Sequence, residues 1–122
     1  MNLNPECGLP LFVQIADAIR EAVFTGAFPE ETQIPSTTEL SATLGINPAT
    51  VLKGMNLLVE EGILYKKRGL GLFVCEGASE RIRETRRARF FETHIGPLIE
   101  EARKLGLSRH DVLEYMERGY EE

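Results

Sequence analysis

The chain has 122 residues, of which 43% are hydrophobic and 27% are charged, and its formal net charge at pH 7 is −5. This composition is ordinary for a globular protein with one modest core, and no apolar run approaches the roughly 18 residues that a membrane-spanning helix requires. Because the polar N-terminus also lacks the apolar core of a signal peptide, we expect a cytoplasmic protein of one domain with an appendage.

The first predicted helix begins at Pro10 and ends at Gly26. Its apolar residues recur at intervals of three and four positions, which is the pattern of an amphipathic helix. Polar residues fill the positions between them, and none of these suggests chemistry. We therefore expect this helix to pack across the two helices that follow it and to complete a three-helix core.

Two short helices joined by a sharp turn are predicted in the middle of the chain. The first begins at Pro35 and Ser36 and ends at Gly45, because glycine adopts the left-handed conformation of a helix C-terminus without steric cost. In the second helix, Asn47 is the N-cap and Pro48 takes the first position, where its missing N–H costs nothing. Apolar residues at helical spacing bury one face of this helix and present the other outward. The pattern predicts a helix-turn-helix.

Two short strands with a basic tip between them are predicted next, at residues 63–65 and 72–74. The tip places three cations beside two glycines: Lys66, Lys67, Arg68, Gly69 and Gly71. Glycine lets a backbone approach a groove wall and the cations attract phosphate, although any solvated hairpin tip is also commonly charged. Residues 1–76 are therefore predicted to form a winged helix-turn-helix, which is mostly α with a small β-hairpin.

Residues 77–122 are predicted to form a short helical segment rich in arginine and glutamate. Its apolar residues follow a heptad seam made of Ala88, Phe91, Ile95, Leu98, Ala102 and Leu105. Gly96-Pro97 interrupts the seam, because proline has no N–H to donate to the carbonyl of Thr93 and a kink is expected. Ser108 and Asp111 form a capping-box pattern that begins a last helix.

The seam needs an apolar partner, since this segment is too short to cover it alone. It either folds back on its own winged domain or pairs with the same helix of a second chain. We favour the second arrangement, because helix-turn-helix proteins commonly bind two half-sites as symmetric dimers. The predicted dimerisation residues are Phe91, Ile95, Leu98, Ala102 and Leu105.

A recognition helix inserts its N-terminal residues into the major groove of DNA. In this chain those positions hold Asn47, Ala49, Thr50 and Lys53. The Ala49 methyl group fits a thymine methyl, Thr50 can donate to a phosphate, and Lys53 can pair with one. Helix capping alone explains Asn47, whereas we favour a DNA contact for Lys53.

Charge is distributed unevenly along the chain. Residues 1–77 hold five basic side chains against nine acidic ones, a net charge of −4, which argues mildly against nucleic acid. Four of the five basic side chains nevertheless lie on the predicted recognition helix or on the wing. A local positive patch on an acidic body is compatible with DNA.

No set of residues has the spacing of a catalytic or metal-binding site. His94 and His110 lie on different predicted segments, and Cys7 and Cys75 form no CxxC pair. Catalysis needs convergent acid, base or nucleophilic groups, and a metal needs several ligands close together. We therefore expect no enzyme activity, no cofactor, no bound metal and two reduced thiols.

The combined motifs resemble the winged-helix domain of the GntR family of bacterial transcription regulators. The match covers about residues 9–76 and includes Pro35-Ser36, Asn47-Pro48-Ala49-Thr50-Val51 and Arg68-Gly69-x-Gly71-x-Phe73-Val74. The short segment that follows is similar to that of the small YtrA-like subfamily, in which it serves dimerisation. The resemblance therefore implies a homodimeric, sequence-specific regulator, a repressor, whose partner is a double-stranded DNA operator.

The resemblance also implies which residues contact DNA, and it shows where this chain departs from the family. The implied contacts are Ser36, Thr38, Asn47, Ala49, Thr50, Lys53, Lys67, Arg68 and Gly69. Thr38 stands where the family usually has an arginine, and Pro48 and Leu52 stand where several branches have one. These departures leave an alternative open, a winged-helix module that binds another protein and has weakened or lost DNA binding.

Overall fold

The computed structural model describes residues 3–122 and divides into two compact units, which meet in sequence between Glu84 and Thr85. The elements in chain order are α1 (Leu11–Thr25), α2 (Thr37–Leu44), α3 (Pro48–Glu60), β1 (Leu64–Lys67), β2 (Gly71–Val74), α4 (Ala78–Phe90), a π-helical turn (Phe91–Ile95), α5 (Gly96–Lys104) and α6 (Arg109–Glu121). The predicted fold class, mostly helical with a small antiparallel hairpin, is confirmed. Within the described residues, no helix has the length and apolar character needed to cross a bilayer.

The helix ends in the first unit lie where the sequence places capping residues. Gly26 and Gly45 follow α1 and α2 in the left-handed conformation, with φ of +87° and +66°. The Asn47 side chain accepts a hydrogen bond from the backbone N–H of Ala49 at 2.8 Å, and Pro48 takes the first position of α3. These caps separate α2 from α3 by a turn of three residues, which is the geometry of a helix-turn-helix.

A capping box also begins α2. The Ser36 hydroxyl accepts from the backbone N–H of Glu39 at 3.0 Å, and the Glu39 carboxylate accepts from the N–H of Ser36 at 3.4 Å. This pair satisfies two backbone donors that the first turn of a helix leaves without partners. Ser36 is therefore the N-cap of α2, and the helix begins one residue later than the sequence predicted.

The core of the first unit lies between α1, α3 and the hairpin. Its fully buried side chains include Ile15, Ile19, Val51, Met55, Leu58, Leu64 and Val74. The backbones of α1 and α3 approach closely at Gly54, where an added Cβ would lie 2.7 Å from the carbonyl oxygen of Phe12. Val59, predicted for the buried face of α3, is 36% exposed because it lies seven residues after the exposed Leu52, on the same side of the helix.

The hairpin pairs in a simple antiparallel register and is anchored to the segment before α2. Tyr65 lies opposite Phe73, and each strand has four residues. Gln33 forms an isolated bridge with Phe73, and its side-chain amide donates to the carbonyl oxygen of Leu70 at 2.5 Å. The end of the hairpin is therefore held by a residue far from it in sequence.

The first two turns of α4 pack in the first unit. Ala78 and Ile82, four residues apart, are both buried in its core. The Ser79 hydroxyl donates to the carbonyl oxygen of Val23 at 3.1 Å. The compact units consequently divide after Glu84, whereas the sequence predicted the boundary at Gly77, ahead of the stretch dense in arginine and glutamate.

The second unit contains the end of α4, the π-helical turn, α5 and α6. The N–H of Gly96 donates to the carbonyl of Phe91, which is the wider hydrogen bond of a π-helix. This widened turn lies immediately before Pro97, where the sequence predicted a kink. The predicted capping box is present as well: the Ser108 hydroxyl accepts from the N–H of Asp111 at 3.1 Å, and the Asp111 carboxylate accepts from the N–H of Ser108 at 2.9 Å.

Candidate nucleic-acid interface

The exposed side of α3 is a stripe of four residues, Ala49, Leu52, Lys53 and Asn56, which we call the outward face of α3. These residues are spaced by three, four and seven positions, so they share one side of a helix. The buried residues Val51, Met55 and Leu58 lie on the opposite side. No acidic residue occurs in α3 before Glu60, and the outward face therefore presents apolar, amide and cationic groups.

Lys53 is held in place by an aromatic ring from α1. Its ammonium nitrogen lies 4.1 Å from the centroid of the Phe12 ring, which is within the range of a cation–π contact. The contact limits the rotamers of the lysine, while its N–H donors remain available because the side chain is exposed. Lys53 is thus partly preorganised for an anion, and no local sequence pattern indicates its pairing with Phe12.

The remaining predicted residues of the helix-turn-helix divide by role. Asn47 and Ser36 use their side chains to cap α3 and α2, which is the structural role that the sequence analysis favoured for Asn47. Thr50 is half-buried in the first turn of α3, and Thr38 is exposed on α2. Of these four residues, Thr38 has the side chain with the freest access to a partner.

The hairpin forms an exposed basic tip made of residues 66–70, which we call the wing tip. Lys67 stacks over the Phe73 ring at 4.4 Å, and Phe73 in turn lies 5.9 Å from the ring of Tyr65 across the hairpin. Arg68 is exposed beside Gly69, whose φ of +79° suits a tight turn that few other residues adopt. The structure therefore brings together the predicted Lys67, Arg68 and Gly69.

Two contributions to this interface were not among the residues predicted from the sequence. Gln33 supports the wing tip from 37 residues away through its bond to Leu70. Asn56 joins the outward face of α3 one turn beyond Leu52 and Lys53. Its helical spacing from Ala49 could have identified Asn56, whereas no local pattern connects Gln33 with the hairpin.

The predicted dimerisation residues lie in the second unit, with different exposure. Phe91 and Leu105 are 64% and 65% exposed, Ala102 is buried, and Ile95 and Leu98 are half-buried. An apolar groove between α5 and α6 is lined by Leu98, Ala102, Leu105, Leu107, Val112 and Met116. The second unit therefore exposes apolar side chains at Phe91 and Leu105 and along this groove.

Groups that could hold a metal are not assembled in residues 3–122, where no cluster of three His, Cys, Asp and Glu side chains occurs. Both cysteines are free thiols. Burial raises the pKa of the Cys75 thiol, and the nearby Arg81 guanidinium opposes that shift.

Comparison with known proteins identifies the family. The family described as bacterial regulatory proteins of the gntR family matches residues 11–74, which is more than half of the chain and covers α1 to β2. The chain belongs to the gntR family. As the sequence predicted, it is a regulatory protein and not an enzyme.

Two curated relatives differ in how much of their own length this GntR protein covers. It is 31% identical over 81 residues to the transcriptional repressor NagR of Bacillus subtilis, but it spans 33% of that protein's length. It is 27% identical over 116 residues to the repressor YtrA of the same organism, a match that covers 95% of this chain and 88% of YtrA. The predicted YtrA-like resemblance is confirmed by this nearly full-length match.

Solved structures agree with that assignment. YtrA from Sulfolobus acidocaldarius, a GntR-family transcription factor, is 27% identical with a TM-score of 0.58, and the match covers 99% of this chain and 97% of that one. The DNA-binding domain of AraR, solved in complex with operator ORX1, is 30% identical with a TM-score of 0.56. This second match covers 62% of the present chain and 93% of the AraR domain.

Proposed function

We propose that this GntR protein binds an operator in double-stranded DNA and regulates transcription there. One observation carries the proposal: the outward face of α3 is free of carboxylates, and the wing tip of the same unit is exposed and cationic. A helix of this kind fits the major groove, and cations beside it neutralise phosphates. The similarity to an AraR domain bound to its operator supports the same reading.

The direct test is binding to the DNA upstream of the protein's own gene. Fluorescence anisotropy of a labelled duplex from that region, and of a shuffled duplex of equal composition, should be measured at 50 and 200 mM salt. We expect tighter binding to the upstream duplex, and weaker binding to both duplexes at the higher salt concentration. Equal affinity for both duplexes, or no binding to either, would contradict an operator at that position.

We propose further that the second unit pairs two copies of the chain and that the dimer acts as a repressor. The exposed Phe91 and Leu105 and the groove between α5 and α6 supply apolar surface for such a pairing. The names of NagR and YtrA describe repressors, which supports the direction of regulation. A reporter gene under the upstream region should be more active when this protein is absent.

The dimer can be tested with two neighbouring charge substitutions at the C-terminal end of α5, at Lys104 and at Leu105, which follows it. Leu105→Glu introduces a carboxylate into the proposed interface, and Leu105 is exposed enough that the isolated chain should tolerate it. Lys104→Glu is the matched control, because it introduces the same side chain one position away. Sedimentation should show a monomer for Leu105→Glu and a dimer for the control. A dimeric Leu105→Glu protein would place the interface elsewhere.

A protein-interaction module is the second candidate. Leu52 is 46% exposed on α3 and Leu70 is 62% exposed at the wing tip, and apolar side chains at both sites could contact a protein surface. This candidate predicts no binding to either duplex. The salt titration therefore separates the two functions.

A further inference from the structure

Two apolar residues occupy the first two turns of the outward face of α3. Ala49 is exposed, and Leu52, one turn further along, is 46% exposed. A single exposed leucine is common on protein surfaces and by itself means nothing. These two, however, stand on the part of a recognition helix that approaches the edges of the base pairs.

The same face has no carboxylate that could read cytosine, and Lys53 is the residue on it that could read guanine. Guanine is read by arginine or lysine at its O6 and N7 atoms, and cytosine by a carboxylate that accepts from its amino group. The cation on this face is Lys53, which is held against the Phe12 ring 4.1 Å away, and the first carboxylate of α3 is that of Glu60 on its last turn. Apolar side chains instead suit the methyl group that thymine presents in the major groove.

We infer that Ala49 and Leu52 read thymine through its C5 methyl group, so that the operator carries a thymine at a fixed position opposite this pair. The inference rests on the proposed function and adds the kind of base that α3 selects. The absence of carboxylates along α3 before its last turn and the neighbouring Lys53 favour a polyanionic duplex as the occupant of this face, rather than an apolar protein surface.

The test uses the intact protein and begins with a pool of random-sequence duplexes, from which the protein selects its preferred sequence. The selected duplex is then made with uracil in place of thymine, one position at a time. Uracil lacks only the methyl group, and this group lies in the major groove. We expect one or two substitutions to weaken binding about fourfold, the effect of losing one buried methyl group, and the others to be neutral.

Two variants show whether Leu52 causes the difference in affinity between the thymine and uracil duplexes. Leu52→Ala should bind the thymine and uracil duplexes with nearly equal affinity at the sensitive position. Val59→Ala is the matched control, because Val59 is a 36% exposed apolar residue on the same side of α3, two turns further from its N-terminus. The control should retain the preference of the unchanged protein for thymine over uracil at the sensitive position.

The outcomes distinguish this inference from the proposed function. If uracil can replace thymine at every position of the selected sequence without loss of binding affinity, Ala49 and Leu52 do not read thymine. Sequence-specific DNA binding would still stand in that case. A preference that persists unchanged in Leu52→Ala would assign the methyl contact to another residue and would also overturn the inference. If no sequence is enriched and no duplex is bound, the proposed function and the inference both fail.

Discussion

Removal of one cation from the wing tip should weaken DNA binding by a defined and salt-dependent amount. Arg68 is exposed in the turn of the hairpin, where Gln33 fixes the backbone through its bond to Leu70. Its guanidinium can therefore reach a phosphate without a large loss of loop entropy. We expect Arg68→Ala to weaken binding to specific and non-specific duplexes by a similar factor, because phosphate contacts carry no sequence information.

The size of this effect follows from counterion release. Each phosphate contact contributes about 0.9 to the slope of log affinity against log salt. Between 50 and 200 mM salt, the unchanged protein should therefore lose about 3.5-fold more affinity than Arg68→Ala. The two proteins should converge in affinity as salt increases, since the contact that separates them is the one that salt weakens.

The assay is an anisotropy titration of one duplex at four salt concentrations. Arg109→Ala is the matched control, because it removes an exposed arginine from α6 in the second unit and changes the net charge equally. The control should keep the slope of the unchanged protein. If Arg68→Ala also keeps that slope, the wing tip does not contact phosphate. If both variants reduce the slope equally, net charge and not position is responsible.

Three further predictions concern packing, docking and acid stability. Gly54→Ala should lower the urea midpoint, because the new Cβ would lie 2.7 Å from the carbonyl oxygen of Phe12. An overpacking cost of about 1–3 kcal/mol then exceeds the helix-propensity gain of about 1 kcal/mol, and a higher midpoint would refute this close approach. Thr38→Arg should add about one unit to the salt slope if α2 docks near the phosphates, and an unchanged slope would argue against that docking. Hydrogen bonds from the backbone and side chain of Ser108 lower the pKa of the Asp111 carboxyl. The cap is therefore fully formed above the unfolded pKa of about 3.9 and is lost as pH falls through the lower folded value. The protection of amides at the start of α6 against exchange, relative to their intrinsic rates, should fall in acid, with no such step in Asp111→Asn.

The sequence predicted those parts of the fold that depend on local backbone chemistry. The ends of α1 and α2 were predicted from Gly26 and Gly45, since a left-handed residue after a helix favours glycine so strongly. Asn47 and the pair of Ser108 and Asp111 were predicted because capping side chains bond to backbone groups two or three residues away. Ser36 and Glu39 carry the same signal, and their capping box was not predicted.

Features that depend on tertiary contacts were not predictable from one sequence. Ile82 lies in a stretch dense in charge, and only the position of the first unit's core makes it a buried residue. The contact between Lys53 and Phe12 connects two helices whose crossing is set by the close approach at Gly54. The π-helical turn was foreseen only as an irregularity, because the missing N–H of Pro97 does not determine how the preceding carbonyls are satisfied.

The acidic net charge is a poor guide to the partner of this protein, because several carboxylates have partners within the chain and none lies on the outward face of α3. Glu39 accepts a hydrogen bond in the α2 capping box, and Glu30 accepts one from the N–H of Gly77. Asp17 and Glu61 both pair with Arg20, at 2.7 and 2.8 Å. Since exposed charges are screened over about 8 Å at physiological salt, the groups nearest the duplex decide its binding. The local placement of four basic side chains on α3 and the wing tip therefore outweighs the average charge of residues 1–77.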